Sequence, residues 1–409
     1  MAAKNAVKAT DRFERKREAI LDAATPILNR LGVKGLTLGV AAAAVDLSTT
    51  SVTYYFRRKD DLAAACMLRG VEAMQQMVET ALAEQTPQAR LHRLLALYLE
   101  RMRATAIREA PPLPLLNDLR ALAQPQRGEV GQAFGRMFRK VRQVFDAPEL
   151  SFLTRGRKTA RTHMLLEQLF WSSAWLSKFD PEDYPRLTER MFDILVGGLA
   201  AERSDWAPQT IAMAELAPRD RHEANRETFL LAATRLINAR GYKGASVDKI
   251  SAELNVTKGS FYHHNEAKDD LVVACFERSF EIMRRVQRLA FALPADNWTR
   301  LSSAAATLAE FQLSDHGPLL RTTALTALPE PIRKRMVTHA NRVSDRFAST
   351  VSDGIADGSI RPVDSFIAAQ MINATLNAGS ELGYWVPGIK QKAAPAVFVR
   401  PLLMGVFER

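Results

Sequence analysis

The sequence predicts an all-α protein built as two tandem copies of one helical unit, and three observations carry that expectation. Residues 17–67 and 226–276 align without a gap at a shift of 226 − 17 = 209. Apolar residues recur at helical spacing, as in Leu91, Leu94, Leu95, Tyr98 and Met102. Strand-like alternation is nearly absent, and prolines fall between the helical stretches, at Pro87, Pro111, Pro112, Pro114, Pro125, Pro148 and Pro181.

Roughly a third of the aligned positions are identical, far above chance over a segment this long. Shared landmarks are Ala23/Ala232, Asn29/Asn238, Gly32/Gly241, Gly35/Gly244, Ser51/Ser260, Lys59/Lys268 and Leu62/Leu271. The two cysteines, Cys66 and Cys275, also align, which marks them as matching core positions rather than disulfide partners. A weaker echo continues: Pro114-Leu115-Leu116 resembles Pro318-Leu319-Leu320, and Leu195-Val196-Gly197 resembles Leu403-Met404-Gly405. The whole chain therefore reads as a duplicated unit of about 200 residues. The expected organisation is a first head at 12–61 and a first helical body at 62–203. A linker at 204–221, with two prolines and many charges, leads to a second head at 222–270 and a second body at 271–409.

Within the first head, Ile20, Ala23, Ala24, Ile27, Leu28 and Leu31 form one face of a first helix. Pro26 lies inside it and should kink or break it. Gly32 stands where a left-handed C-terminal cap is wanted. Thr37 can N-cap a second helix with an inner face of Val40, Ala41 and Ala44. After a break at Asp46-Leu47, Ser48 can cap a short third helix from Thr49 to about Phe56. Lys59-Asp60-Asp61-Leu62 opens a long fourth helix with its acids in the first turn.

Composition narrows the function. Lysine and arginine total 56 against 45 acids, a net charge of +11 that suits a polyanion, either nucleic acid or an anionic membrane surface. Two cysteines make no disulfide framework and have no zinc-ligand spacing. Met1 to Arg17 is polar and basic, without the apolar core of a signal peptide, and no run approaches a membrane span. The expectation is a cytoplasmic protein with no membrane partner. No phosphate loop, dinucleotide fingerprint, nucleophile elbow or HExxH helix occurs, so no enzyme, catalytic residue, metal or cofactor is expected.

Two short helices joined by a tight turn behind a supporting helix make a helix-turn-helix, whose second short helix enters the major groove of DNA. Here that helix reads TTSVTYYF, and in the second copy KGSFYHHN. Hydroxyls, tyrosines and histidines suit hydrogen bonds to phosphates and base edges. The order Ala-Ala, Gly-x-x-Gly-x-Thr, Ser-x-x-Ser-x-x-Tyr-Tyr-Phe-x-x-Lys-x-x-Leu runs from Ala23 to Leu62, and a variant of it from Ala232 to Leu271. It resembles the DNA-binding domain of the tetracycline-repressor (TetR) family. The resemblance covers roughly a quarter of the chain.

What the resemblance implies is a three-helix DNA-binding head on a helical ligand-binding and dimerising body, twice over. It implies a sequence-specific transcriptional regulator, a repressor released by a small-molecule effector, whose partner is a double-stranded DNA operator. The candidate DNA-binding residues are Thr37, Ser48, Thr49, Thr50, Ser51, Thr53, Tyr54, Tyr55 and Lys59 in the first head. In the second they are Ser246, Thr257, Lys258, Gly259, Ser260, Tyr262, His263, His264 and Lys268. The second copy carries Asn265 where the first has Phe56, which should loosen the anchor of its reading helix. Because such regulators pair as dimers, the two copies are expected to form an intrachain pseudo-dimer, with a further homodimer left open. Tyr98, Met102, Phe138 and Trp171 are candidates for an effector pocket. The stripe Phe170, Trp171, Trp175 and Phe179 fits a helix interface better than a pocket, by about two to one. The basic run Lys4, Lys8, Arg12, Arg15, Lys16 and Arg17 reads equally as a mobile DNA-reaching arm or a solvated tail. His163, His316 and His339 carry no expected ligand role. A non-specific or architectural DNA binder, or a regulator with one degenerate head, stays open on the residues alone.

Overall fold

The structure, a computed structural model, describes residues 2–216, 221–244, 247–253 and 268–409. The described residues form helices and no named strand, with one isolated antiparallel bridge between Ala200 and Ile360. The chain divides into two compact units, Met1–Glu79 with Arg101–Lys140, and Thr80–Glu100 with Val141–Arg409. This division does not follow the repeat, because much of the first copy's body belongs to the second unit.

In the first unit, α1 (Ala2–Gly35) buries Ile20, Leu21, Ala24, Ile27 and Leu28, while Leu31 stays exposed. The basic N-terminal run is helical from Ala2, not an irregular tail. Pro26 does not break the helix either. The backbone stays helical through it, since one missing N–H costs one hydrogen bond, and the break comes at Gly32 with φ 66 and ψ 178. That conformation is open to glycine, which has no Cβ to clash. Thr37 caps α2 (Leu38–Ala43) by accepting from Val40 N at 3.1 Å. The inner face of α2 is Ala41 and Ala42. Val40, expected inside, is 42% exposed and Ala44, the C-cap, is exposed: the two lie on one side of the helix, and that side faces outward while Ala41 and Ala42 face the core.

Asp46 takes a left-handed φ of 52 in the turn that follows. Asp tolerates that region better than most residues. Ser48 then caps α3 (Thr49–Tyr55), accepting from Ser51 N at 3.1 Å. α4 (Lys59–Leu82) starts with Asp60 and Asp61 in its first turn, and the Asp61 carboxylate accepts from Arg58 N. Val52, Phe56, Leu62, Cys66 and Met67 close the core beneath these helices. α6 (Gln126–Arg142) belongs to this unit up to Lys140, and Val130 joins the same core.

The second unit takes residues 87–100 of α5 (Pro87–Ala106) and the later helices. α7 (Arg155–Ser172) is buried almost all round, including Arg161, Thr162, His163 and Gln168. Buried polar groups must find partners. Here they find them mostly on the second copy: Gln168 donates to Met371 O and Thr375 Oγ1, and Arg161 donates to Val406 O and Glu408 O, each at 2.7 Å. α8 (Tyr184–Gly197) follows, then α9 (Arg221–Gly244) and α10 (Val247–Glu253). α11 (Lys268–Phe291), α12 (Asn297–Gln312), α13 (Glu330–Ala356) and α14 (Ser365–Ala378) complete the larger layer, with a short helix at Arg400–Met404. α7 packs chiefly on α14, and α8 packs on α14 and on Arg400–Met404. Two backbone bonds cross in opposite senses: Leu199 N donates to Leu403 O at 2.8 Å, and Val406 N donates to Leu195 O at 2.7 Å.

The expected linker is pinned along its described length. Trp298 Nε1 donates to Asp205 O, and Gln209 N donates to Ser303 Oγ.

Local devices recur at the 209-residue shift. Asn29 clamps a loop, donating to Leu113 O at 2.9 Å and accepting from Leu115 N at 2.8 Å. Asn238 does the same to Leu319 O at 2.9 Å and Arg321 N at 3.1 Å. Arg69 pairs with Glu18, and Arg278 with Glu227. Gly241 repeats the break of Gly32 with φ 71.

Candidate nucleic-acid interface

α3 sorts its side chains into two sets. Val52 is buried and Phe56, just past the helix, is 4% exposed. Thr49, Thr50, Thr53 and Tyr54 point to solvent, and Tyr54 is 76% exposed. An apolar anchor with a hydroxyl-rich outer face is what a groove-reading helix needs. Ser51, Tyr55 and Lys59 are half-buried, and Thr37 and Ser48 are exposed.

The hydroxyls are not equally free. Thr37 and Ser48 spend theirs as helix caps, Ser51 shares a bond with Ser48, and Thr53 Oγ1 donates to Thr49 O at 2.9 Å. Thr49, Thr50 and the Tyr54 phenol are the outward groups best placed for phosphate or base contacts. Lys59 reaches back to Val33 O at 3.4 Å, which ties the start of α4 to the end of α1. Phe13 on α1 supports the tyrosines: its ring centre lies 5.9 Å from Tyr54 and 4.7 Å from Tyr55. The Arg17 guanidinium lies 5.6 Å from the Phe56 ring centre. Sequence reasoning missed Phe13, because it stands far from α3 along the chain and belongs to no motif. It also missed Arg57 and Arg58, two exposed cations directly after α3. Their position beside the reading helix was the available signal.

In the second copy, Ser246, Thr257, Lys258, Gly259, Ser260, Tyr262, His263 and His264 lie outside the described residues, as does Asn265. Lys268 opens α11, and its side chain lies outside the description.

The pocket candidates separate. Tyr98 is buried in the second unit, where desolvation pushes its hydroxyl pKa upward. Met102 and Phe138 belong to the first unit, Phe138 buried and Met102 half-buried. Trp171 lines a cavity in the second unit. Trp175 and Phe179 instead make edge contacts with Phe366, a helix interface as expected.

His163 does not stand alone. Its ligand atom lies within 4.8 Å of those of Glu167 and Glu381, a set that could hold a metal ion. The Arg321 guanidinium already pairs with both glutamates, and His163 Nε2 is hydrogen-bonded to Ala378 O at 3.0 Å. A resident cation side chain thus supplies the charge a metal would bring. No described helix is long and apolar enough to cross a membrane.

Residues 229–275 match the family model for bacterial regulatory proteins of the tetR family. That match covers 47 of the 409 residues, so it is this segment that resembles the tetR family. The matched span lies in the second of the two aligned segments and includes Thr257 to His264, which lie outside the described residues. The transposon Tn10 TetC protein of Escherichia coli is 33% identical over 60 residues, which cover 15% of this chain and 30% of that protein. Apo AibR is similar in structure with a TM-score of 0.37 and 20% identity, covering 44% of this chain and 98% of AibR. AibR in complex with isovaleryl coenzyme A and operator DNA gives 0.37 and 21% identity, over 44% and 97%. PfmR, a TetR family transcriptional regulator from Thermus thermophilus, gives 0.37 and 19% identity, over 44% and 99%.

Proposed function

We propose that this chain is a sequence-specific DNA-binding transcriptional regulator, a repressor released by a small-molecule effector, which presents both of its heads from one polypeptide. The observation that carries DNA binding is the sorting of α3: Val52 and Phe56 anchor it, while Thr49, Thr50 and Tyr54 face outward beside Arg57 and Arg58. Two features support the single-chain pairing. The gap-free repeat supplies two heads. The crossed bonds Leu199 N to Leu403 O and Val406 N to Leu195 O join the end of one copy's body to the end of the other's, as a dimer interface would. Covalent linkage then replaces a bimolecular encounter by an intramolecular one.

The reading helices differ, with Thr49, Thr50, Thr53, Tyr54 and Tyr55 against Lys258, Gly259, Tyr262, His263 and His264. Unlike side chains make unlike hydrogen bonds, so one chain should read an asymmetric site with half-sites spaced by about one helical turn, ~34–36 Å, or a multiple of it. Selection of bound fragments from a random DNA pool tests this. The expected result is one motif with two unlike halves, bound by one chain as counted by sedimentation. Recovery of fragments without any shared motif would point to an architectural DNA binder. A perfect palindrome bound by two chains would replace the pseudo-dimer with a homodimer of fused chains.

A further inference from the structure

Residues of α7, α11, α13 and α14, with Gln312 of α12 and the segment 319–322, line a cavity of about 50 Å3 in the second unit. Trp171, Phe280, Met283, Val343 and Leu376 form its apolar walls, and no charged side chain lines it. Its polar groups are hydroxyls and amides, and their bonding fixes which way the amides face. Asn377 Oδ1 accepts from Thr322 N at 2.8 Å, and a backbone N–H leaves only that orientation. Asn373 Nδ2 donates to Ala369 O at 3.0 Å and to Ser344 Oγ, which fixes the second amide. Among the described residues nothing engages Asn377 Nδ2 or Asn373 Oδ1. One donor and one acceptor are thus left open, four residues apart on α14 and so on one helix face.

A ligand that satisfies both must itself present an acceptor beside a donor, as a carboxamide or a lactam does. A charged ligand would give up its hydration for a site without a counter-ion. The cavity is too small as it stands. About 50 Å3 suits a few water molecules, whereas sites for organic ligands run from about 300 Å3 upward. One wall can give way. Trp171 is only half-buried, and its indole N–H is held by a single bond to Gln370 Oε1 at 3.1 Å. Among the described residues that line the cavity it alone comes from the first copy, since the others run from Ser279 to Asn377.

We propose that this cavity binds a compact, neutral carboxamide or lactam as the effector, and that Trp171 moves aside to admit it. The first copy thereby senses a ligand held by the second. This inference rests on reading the chain as a ligand-responsive regulator, and the test separates the two. Cyclohexanecarboxamide, cyclohexanecarboxylate and cyclohexylmethylamine are titrated calorimetrically into the full chain, with tryptophan fluorescence followed in parallel. The carboxamide should bind at least about tenfold tighter than either charged probe, the worth of one or two buried hydrogen bonds. Asn377→Asp keeps the acceptor for Thr322 N but loses the open donor. It should weaken the carboxamide about tenfold and gain affinity for the ammonium probe. Trp171→Phe should still bind the carboxamide but lose most of the fluorescence change. Equal binding of all three probes, no carboxamide binding at millimolar concentration, an unaltered preference in Asn377→Asp, or a full fluorescence change in Trp171→Phe overturns the proposal. DNA affinity is read separately. Selective carboxamide binding that leaves DNA affinity unchanged keeps the cavity assignment and removes the effector role.

Discussion

Gly198 and Gly405 each require the other's neighbourhood to be free of a side chain. A Cβ on Gly198 would lie 2.5 Å from Leu403 O and 2.8 Å from Gly405 N, and one on Gly405 would lie 2.4 Å from Val196 O. Both have positive φ, 65 and 116. The clash is with backbone, which cannot rotate away. Gly198→Ala and Gly405→Ala should each cost at least about 2 kcal/mol, from backbone strain and displaced hydrogen bonds together. Gly358→Ala is the control: its φ is 76, but a Cβ there meets nothing within 4 Å, so strain alone acts. Denaturant midpoints check the order. Equal losses at all three sites would mean that the close approach between the copies contributes nothing.

The acid limb of stability should depend on Asp357. Partial burial raises its carboxyl pKa, but hydrogen bonds from Ser359 and Asn297 outweigh that and carry it below the usual value. A carboxylate depressed in the folded state stabilises above its unfolded pKa, near about 4, and this contribution is lost as pH falls through the folded value. Unfolding midpoints measured across the acid range should fall less steeply for Asp357→Ala than for the parent chain. Parallel curves would show that the carboxylate does not couple the start of α12 to the Ser359 turn.

The two cysteines should behave alike and inertly. Burial pushes both thiols up to about 11, and each sulfur donates to the matching carbonyl, Leu21 O for Cys66 and Leu230 O for Cys275. Thiolate is the reactive form. A disulfide reagent at mildly alkaline pH should label neither in the native chain and both after denaturation. Rapid native labelling of either would contradict its burial.

Tyr54 and Arg57 should fail in different ways. Tyr54→Ala should cost about 1–3 kcal/mol of operator binding if the phenol meets a base, relaxing one half-site only. Arg57→Ala should weaken all sequences alike and flatten the salt dependence by about one unit of slope. Neither should move the unfolding free energy by more than about 0.5 kcal/mol, as both are exposed. A salt slope near zero for the unaltered chain would rule out DNA as the partner.

The first head was legible because its devices are local. Gly32, Thr37, Ser48 and Asp60 each act within about one helical turn, so their roles follow from spacing alone. Local rules misjudged Val40, because the apolar pattern of α2 does not by itself say which side of so short a helix meets the core. The interface partners of α7 were not legible at all. Gln168 and Thr375 meet across 207 positions, and Arg161 meets a carbonyl across 245. Nothing in either local sequence names its partner. Trp171 lies beside a cavity, but its sequence context could not say so, since an aromatic on a helix records burial and not what fills the space next to it.

The crossed bonds between Leu195 and Val406 and between Leu199 and Leu403 set an order for biosynthesis. The inner face of α7 can be covered only after α14 and residues 400–406 leave the ribosome, 406 − 195 = 211 residues after Leu195. At ordinary elongation rates that is a delay of roughly 10–40 s. Throughout it, a helix face that the finished chain buries waits without its partner.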